Sequence, residues 1–180
     1  MRETDELLVR RAQLGDRDAL ESLVCQWEGR LLYYIRRLVE DEAIAWDVLQ
    51  ETWIKVIRGI RSLRDPRSLP LWLYRIARAT AMTHWRALYR QREESLSDDH
   101  ASETAGDWAF EAEEAEAIHW ALSRLSFDQR EALTLHFLED FSVEEVAGIV
   151  GVPPGTVKSR IHYGKKALRR ILDQEAKRYG

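Results

Sequence analysis

The chain contains little cysteine, proline or glycine, and each scarcity excludes a class of protein. With a single cysteine, Cys25, among 180 residues, it can form neither an intramolecular disulfide nor a cysteine-rich zinc site. We expect Cys25 to be a small core residue on a helix. Only 9 Gly and 4 Pro stand beside 32% charged residues. That composition favours a mostly helical protein over a turn-rich sandwich or barrel.

Long apolar runs are also missing from the sequence. The longest, Leu31 to Ile35, has five residues. A membrane-spanning helix needs about 20 apolar residues, and the core of a signal peptide needs about 7 to 15. We therefore expect the protein to work in the cytoplasm.

The net charge of −4 conceals an uneven distribution along the chain. Residues 1–90 carry 16 basic and 13 acidic side chains, residues 91–116 carry 1 and 10, and residues 117–180 carry 10 and 8. The acidic stretch is rich in Ser, Asp, Thr and Gly, which is typical of a solvated linker. We predict an all-α protein with two small helical domains, residues 1–90 and 111–180, joined by an acidic linker at 91–110.

Apolar residues recur every three or four positions in both basic blocks, which predicts amphipathic helices. In the first block, Asp16 is positioned as the N-cap of a helix. In the second, the spacing of Ser126 with Gln129 and of Ser142 with Glu145 is typical of capping boxes. No segment alternates well enough to predict a strand.

Known catalytic patterns are absent from the sequence. We find no glycine-rich phosphate loop, no nucleophile elbow and no pair of histidines at the helical spacing of a metal site. We therefore expect neither an enzyme nor a bound metal or other cofactor. Active sites assembled from distant segments escape such a search, so a hydrolase or transferase that uses Glu and His residues of different helices stays open as an alternative.

The segment from Phe141 to Leu172 has the pattern of a helix-turn-helix. Ser142 begins a short helix, Gly151 supplies the turn, and Pro154 begins a longer helix. The residues opposite Val157 on that longer helix are Ser159, His162, Tyr163, Lys166 and Arg170, flanked by Lys158, Lys165 and Arg169. In this motif the second helix enters the major groove, where Lys and Arg meet phosphates and base edges. The pattern predicts binding to double-stranded DNA, and a merely solvated basic face is the alternative.

A helix predicted from Leu71 to Arg90 places cations and aromatic rings on one face. The residues within an arc of about 120° are Tyr74, Arg75, Arg78, Met82, Trp85, Arg86 and Tyr89. Guanidinium groups can follow phosphates while rings stack on bases, so this face suits single-stranded nucleic acid. The residues alone leave open the alternative that Trp85 and Tyr89 pack against a neighbouring helix while the arginines are merely solvated.

A third candidate surface lies on the helix predicted from Asp41 to Ile60. Its apolar stripe, which we expect to be buried, includes Ile57. Beside that stripe lie Asp47, Gln50, Glu51 and Ile54. Polar groups around an exposed isoleucine indicate a partner surface, although an ordinary solvated face is the alternative.

Four segments of the chain resemble, in order and spacing, the sigma factors of RNA polymerase, and in particular the extracytoplasmic-function (ECF) group. The segments are Leu8-Val9-Arg10-Arg11-Ala12-Gln13-Leu14-Gly15-Asp16, Asp47-Val48-Leu49-Gln50-Glu51-Thr52-Trp53, Trp72-Leu73-Tyr74-Arg75-Ile76-Ala77-Arg78 and Gly155-Thr156-Val157-Lys158-Ser159-Arg160. The resemblance runs from about Glu6 to Leu172. The acidic linker stands where this group joins its second and fourth conserved regions.

The resemblance implies a transcription initiation factor whose partners are core RNA polymerase, promoter DNA and an anti-sigma factor, with no small-molecule substrate. Residues 1–90 correspond to sigma region 2 and residues 111–180 to region 4. The implied polymerase-binding residues are Asp47, Gln50 and Glu51, with Ile54 beside them. The residues implied for the minus-10 element, read as a melted single strand, are Arg61, Arg64, Arg67, Trp72, Tyr74, Arg75, Arg78, Trp85, Arg86 and Tyr89. Those implied for the double-stranded minus-35 element are Gly155, Thr156, Lys158, Ser159, Arg160, His162, Tyr163 and Lys166.

A DNA-binding repressor or activator is the rival interpretation. Its N-terminal domain would sense a ligand or dimerise, and it would bind a promoter stably without polymerase.

Overall fold

The computed structural model describes residues 3–39, 41–94 and 113–179, and the side chains of 5–39, 41–86 and 118–174. Its contacts divide the chain into two compact units, residues 1–104 and 105–180. The predicted linker at 91–110 lies, from residue 95 onward, outside the described residues.

The first unit is built from four helices and two short 3₁₀ turns over its described residues. They are α1 (Glu3–Gln13), α2 (Arg17–Leu38), α3 (Glu42–Gly59), the 3₁₀ turns Ile60–Ser62 and Pro66–Ser68, and α4 (Leu69–Glu94). Asp16 caps α2 as predicted, because its carboxylate accepts a hydrogen bond of 3.1 Å from the backbone N–H of Ala19. Asp41 caps α3 in the same way through the N–H of Ile44.

The core of the first unit lies among α2, α3 and α4. Tyr34 of α2 and Tyr74 of α4 are both fully buried, with ring centroids 5.0 Å apart. Cys25, expected in this core, is exposed instead. The buried stripe of α2 runs through Leu23 and Trp27, and a residue two positions from Leu23 points about 200° away from it, to the opposite side of the helix.

The second unit contains α5 (Glu113–Ser123), α6 (Phe127–Leu133), a π-helical turn (Thr134–Leu138), α7 (Val143–Val150) and α8 (Pro154–Tyr179). The capping box at the start of α7 is confirmed: the N–H of Glu145 donates to Ser142 Oγ at 3.2 Å, and the N–H of Ser142 donates to the Glu145 carboxylate at 2.8 Å. The predicted box at Ser126 is wrong, because the Ser126 side chain makes no capping hydrogen bond.

Close packing of α6 against α8 forms the core of the second unit. Leu122, Leu125 and Leu133 are buried there against partly buried side chains that include Ile161. Gly164 permits this approach, since a Cβ at that position would lie 3.1 Å from Leu133 Cδ1. The glycine in α8 is therefore a packing requirement.

The helix-turn-helix is formed by α7, a turn at Gly151 and α8. Gly151 has φ of +74°, a left-handed conformation that glycine adopts without strain. In the stretches described, the chain forms no strand, and none of its helices is both long and apolar enough to cross a membrane. The predicted all-α fold with a C-terminal helix-turn-helix is confirmed.

Candidate nucleic-acid and partner interfaces

The first half of α8 exposes most of the residues predicted to contact double-stranded DNA. Val157 is fully buried against the unit, which fixes the rotation of the helix. The exposed residues are Gly155, Thr156, Lys158, Ser159, His162, Tyr163 and Lys166. Tyr163 is 60% exposed, and its ring meets that of His162 edge-on at 5.3 Å. This face therefore combines cations with hydrogen-bonding and aromatic groups.

Arg160 is the exception among the predicted residues of α8. Its guanidinium lies 2.8 Å from the carboxylate of Asp128 in α6, and its side chain is only 19% exposed. The ion pair directs this arginine toward its own unit. Arg160 therefore joins α8 to α6 instead of extending the exposed basic face.

The predicted stacking face of α4 is narrower than expected. Tyr74 is wrong as a base-stacking residue, because its ring is fully buried against Tyr34. The reason is that α4 packs on both α2 and α3, so the buried arc of the helix is wider than a one-sided wheel predicts. Arg75, Trp85 and Arg86 are exposed, and Arg78 is half-buried. The side chain of Tyr89 lies outside the described residues.

Trp72 lies against the last turn of α3. A Cβ added to Gly59 would lie 3.1 Å from Cζ2 of the indole. The ring can occupy this position because residue 59 is a glycine and has no side chain. The indole is half-buried. One side of it is thus fixed by the protein while part of its surface stays accessible.

The loop between α3 and α4 carries Arg61, Arg64 and Arg67, all exposed. Arg67 donates three hydrogen bonds to the Asp65 carboxylate. Two come from its guanidinium, at 3.1 Å each, and one from its backbone N–H, at 3.0 Å. The side-chain hydrogen bonds from Arg67 are the main cause that lowers the pKa of Asp65, and Asp65 raises the pKa of Arg67 in return. Asp65 thereby caps the second 3₁₀ turn of the loop.

Gln13 of α1 anchors the start of that loop and was not identified from the sequence. Its Nε2 donates to the carbonyl oxygens of Ile60 at 3.0 Å and Leu63 at 2.7 Å. The partners are 47 and 50 residues away, so no local pattern could reveal them. Gln13 therefore ties α1 to the loop's first turn, where the Ile60 carbonyl also accepts the N–H of Leu63 at 3.2 Å.

The predicted partner stripe on α3 is accessible. Asp47, Gln50 and Ile54 are exposed, and Glu51 is half-buried. Glu51 Oε1 lies 2.7 Å from Lys55 Nζ, and its Oε2 lies 2.8 Å from His84 Nε2 in α4. The hydrogen bond from Lys55 is the main cause that lowers the pKa of the Glu51 carboxyl, and the one with His84 lowers it further. Glu51 thus joins α3 to α4 as well as facing outward.

Large apolar side chains extend this stripe beyond the prediction. Trp46, Ile54 and Ile57 are 46%, 42% and 47% exposed, and the prediction that Ile57 is buried is wrong. Spacings of eight and three residues put all three on one side of α3. We call Trp46, Asp47, Gln50, Glu51, Ile54 and Ile57 the α3 ridge. A cluster of exposed apolar groups among polar ones is typical of a protein-protein contact.

Comparison with known families and structures agrees with this geometry. Residues 23–91 match the family described as Sigma-70 region 2, and residues 115–168 match Sigma-70, region 4. The sigma factor RpoE in its co-crystal with the anti-sigma factor NepR from Bartonella quintana is similar, with a TM-score of 0.70, 26% identity and coverage of 85% of this chain and 96% of that one. CnrH in complex with the cytosolic domain of CnrY shares the fold, with a TM-score of 0.69, 23% identity and coverage of 96% and 99%.

Two relatives match along nearly their whole length. The RNA polymerase sigma-H factor of Pseudomonas aeruginosa is 36% identical over 182 residues, which covers 94% of each chain. The ECF RNA polymerase sigma-E factor of Haemophilus influenzae is 34% identical over 177 residues, which covers 92% of this chain and 93% of that one. The chain therefore belongs to the ECF sigma factors of the sigma-70 family, the transcription initiation factors that recognise promoters together with RNA polymerase.

Proposed function

We propose that the α3 ridge is the surface through which this sigma factor binds core RNA polymerase. The observation that carries the proposal is the exposure of Trp46, Ile54 and Ile57 among the polar groups of Asp47, Gln50 and Glu51. Burying three large apolar side chains contributes most of the free energy of docking, at about 25 cal/mol per Å² of apolar surface. The polar groups then set the orientation of the partner.

The loop and α4 would hold the melted minus-10 strand. The proposed contacts are Arg61, Arg64, Arg67, Trp72, Arg75, Arg78, Trp85, Arg86 and Tyr89, without Tyr74. Support comes from the exposed Trp85 and the half-exposed Trp72, because each base stacked on an aromatic ring contributes about 1 to 3 kcal/mol. Capture of unstacked bases would then offset part of the cost of strand separation.

The exposed face of α8 would read the double-stranded minus-35 element. The proposed contacts are Gly155, Thr156, Lys158, Ser159, His162, Tyr163 and Lys166. Their exposure around the buried Val157 supports this assignment. Arg160 would act indirectly, by fixing α8 on α6 through Asp128.

The two DNA-binding units would act together only on polymerase. In this proposal residues 1–90 form the region 2 domain, 91–110 the acidic linker and 111–180 the region 4 domain. Once the α3 ridge is docked, the second DNA contact becomes intramolecular, so promoter specificity rises without new contacts. The role requires no catalytic group or cofactor of its own, and it places the protein in the cytoplasm with the polymerase.

An anti-sigma factor is a further proposed partner. The structurally similar RpoE was crystallised with the anti-sigma factor NepR. A partner that covers the α3 ridge would keep this protein from polymerase, so sequestration and docking would compete for one surface.

The decisive experiment mixes the full-length protein with core polymerase and a matched promoter. We expect a stable complex and promoter-directed initiation. Asp47→Lys should weaken the complex at least tenfold, because it reverses the charge of an exposed ridge residue, whereas Glu28→Lys, the same change at an exposed site on α2, should leave it intact. Failure of the unaltered protein to bind core, or tight promoter binding without core, would overturn the proposal.

A further inference from the structure

A cleft in the first unit opens where the turn between α1 and α2 meets the end of α3. Its volume is about 270 Å³. Ala12, Leu20, Ile57 and Ile60 form the apolar part of its lining. Pockets for drug-sized ligands run from about 300 to 1,000 Å³, so this cleft has room for one small unit of a ligand.

Three arginines give the cleft its charge. Arg17, Arg58 and Arg61 line it and are exposed, and none of them forms a hydrogen bond or ion pair with the described part of the chain. Arg61 Nη2 lies 3.9 Å from the position of a Cβ on Gly15. Its guanidinium therefore lies beside the turn before α2.

The acidic residue of the lining does not cancel this charge. Asp16 already accepts hydrogen bonds from the N–H of Ala19 at 3.1 Å and from Arg11 Nε at 2.8 Å. The bond from Ala19 is the main cause that lowers the pKa of Asp16, followed by the bond from Arg11. Arg11 lies outside the lining and balances this carboxylate, so within the described residues no side chain of the lining neutralises the three arginines.

We propose that this cleft binds one phosphate-bearing nucleotide unit, with the phosphate on Arg17, Arg58 and Arg61 and the sugar or base against the apolar lining. The planar fork of arginine matches phosphate oxygens in pairs, and an apolar surface beside the cations favours a nucleotide over an inorganic anion. One source of this nucleotide would be a promoter strand that passes the first unit, and for that source the inference rests on the proposed function. A free nucleoside triphosphate is the second source of the same chemistry.

The test follows NMR signals of the ¹⁵N-labelled full-length protein. The signals are the Gly15 amide and the side-chain Nε groups of Arg17 and Arg58. The probes are single-stranded pentathymidylate, ATP and hexaglutamate, the last as an acidic peptide without phosphate. We expect all three signals to move with a phosphate-bearing probe and to stay in place with hexaglutamate.

Single substitutions then locate the site. Arg17→Gln and Arg58→Gln should each weaken binding of the phosphate-bearing probe by about threefold or more and lower its salt dependence by about 0.7 in slope per lost contact. Arg10→Gln removes one exposed arginine of α1 outside the cleft and should change neither quantity.

The outcomes separate the two sources. Shifts with pentathymidylate alone indicate a promoter strand, and stronger shifts with ATP indicate a free nucleotide. No shift with either probe, or equal shifts with hexaglutamate, would overturn the proposal. Core binding and initiation by the unaltered protein are measured separately, so loss of this site and failure of the sigma function give different results.

Discussion

The two units present positive charge to DNA in different ways. In the first unit, Arg67 is held by Asp65 through its side chain and backbone, and both Arg75 and Arg78 make further contacts with the protein, whereas Arg61 has no hydrogen bond or ion pair with the described residues. In the second, Lys158 and Lys166 on α8 are exposed and have no hydrogen bond or ion pair with the described residues.

This difference has a physical consequence for binding. A side chain already fixed by its own protein loses less conformational entropy when it meets DNA. A free lysine loses more, and it acts through charge that salt screens strongly. Arg67, Arg75 and Arg78 are therefore suited to holding a melted strand in one geometry, and Lys158 and Lys166 to attracting a duplex through charge.

The largest expected effect is on stability, and it distinguishes two aromatic residues of α4, Tyr74 and Trp85. Tyr74→Ala should lower the free energy of unfolding by about 3 to 5 kcal/mol, because it empties a fully buried site. Trp85→Ala should change that free energy little and weaken single-strand binding by about 1 to 3 kcal/mol, because its ring is exposed. Chemical denaturation and titration with a labelled minus-10 strand measure the two quantities. Equal loss of stability in both variants would contradict this division.

Reversing one charge on α8 tests the second unit. Lys166→Glu should weaken binding to the minus-35 duplex by about 10- to 100-fold, since it replaces an attraction to phosphate with repulsion. The slope of affinity against salt should fall by about one unit or more. Lys166→Gln is the matched neutral variant, and its affinity for the duplex should lie between those of the unaltered protein and Lys166→Glu. Binding to core polymerase, measured in the same preparations, should be unchanged, and a parallel loss there would show that α8 does not act independently.

Removing the Gln13 anchor of the loop between α3 and α4 should have a smaller effect. Gln13→Met keeps the side chain's length but cannot donate to the carbonyls of Ile60 and Leu63, so stability should fall by about 1 kcal/mol per lost hydrogen bond. Minus-10 strand binding should weaken several-fold while minus-35 binding is preserved. Gln174→Met, at an exposed site on α8, is the control. Unchanged minus-10 binding in Gln13→Met would mean that the loop keeps its shape without this anchor.

The smallest expected effect is a change in stability at acid pH. The pKa of Glu51 is lowered from 4.5 by its contacts with Lys55 and His84, so its contribution to stability is present above pH 4.5 and is lost as pH falls through the lowered value. The stability difference between the unaltered protein and Glu51→Gln should therefore shrink below about pH 4.5. Water screens this partly exposed carboxylate, so the difference should be small. Denaturant midpoints between about pH 3 and pH 7 measure it, and a difference that does not vary with pH would refute the assignment.

Much of the fold could be predicted because its signals are local. The Asp16 cap, the Ser142 capping box and the left-handed turn at Gly151 each depend on residues within a few positions of one another. The exposed face of α8 followed from the helical period once Val157 was taken as buried. The predicted roles of these surfaces stay predictions until the binding experiments are done.

The errors at Tyr74 and Ile57 both concern burial, which depends on how each helix packs on its neighbours. Tyr74 is buried because α4 packs on both α2 and α3, and Ile57 near the end of α3 is 47% exposed although it continues the apolar pattern. A helical wheel assumes one buried face and cannot show this. Trp46 could have been found, since it lies four residues before Gln50 on the predicted stripe.

The sequence by itself determined the helical content, the helix-turn-helix and the family, because amphipathic spacing, caps and matching segments each depend on residues close together in the chain. Only the tertiary structure decided which aromatic rings are buried, that Gln13 bonds to a loop 47 residues away and that Arg17, Arg58 and Arg61 line one cleft. Those outcomes depend on packing between helices distant in sequence, where burial of apolar surface fixes positions that no local pattern encodes.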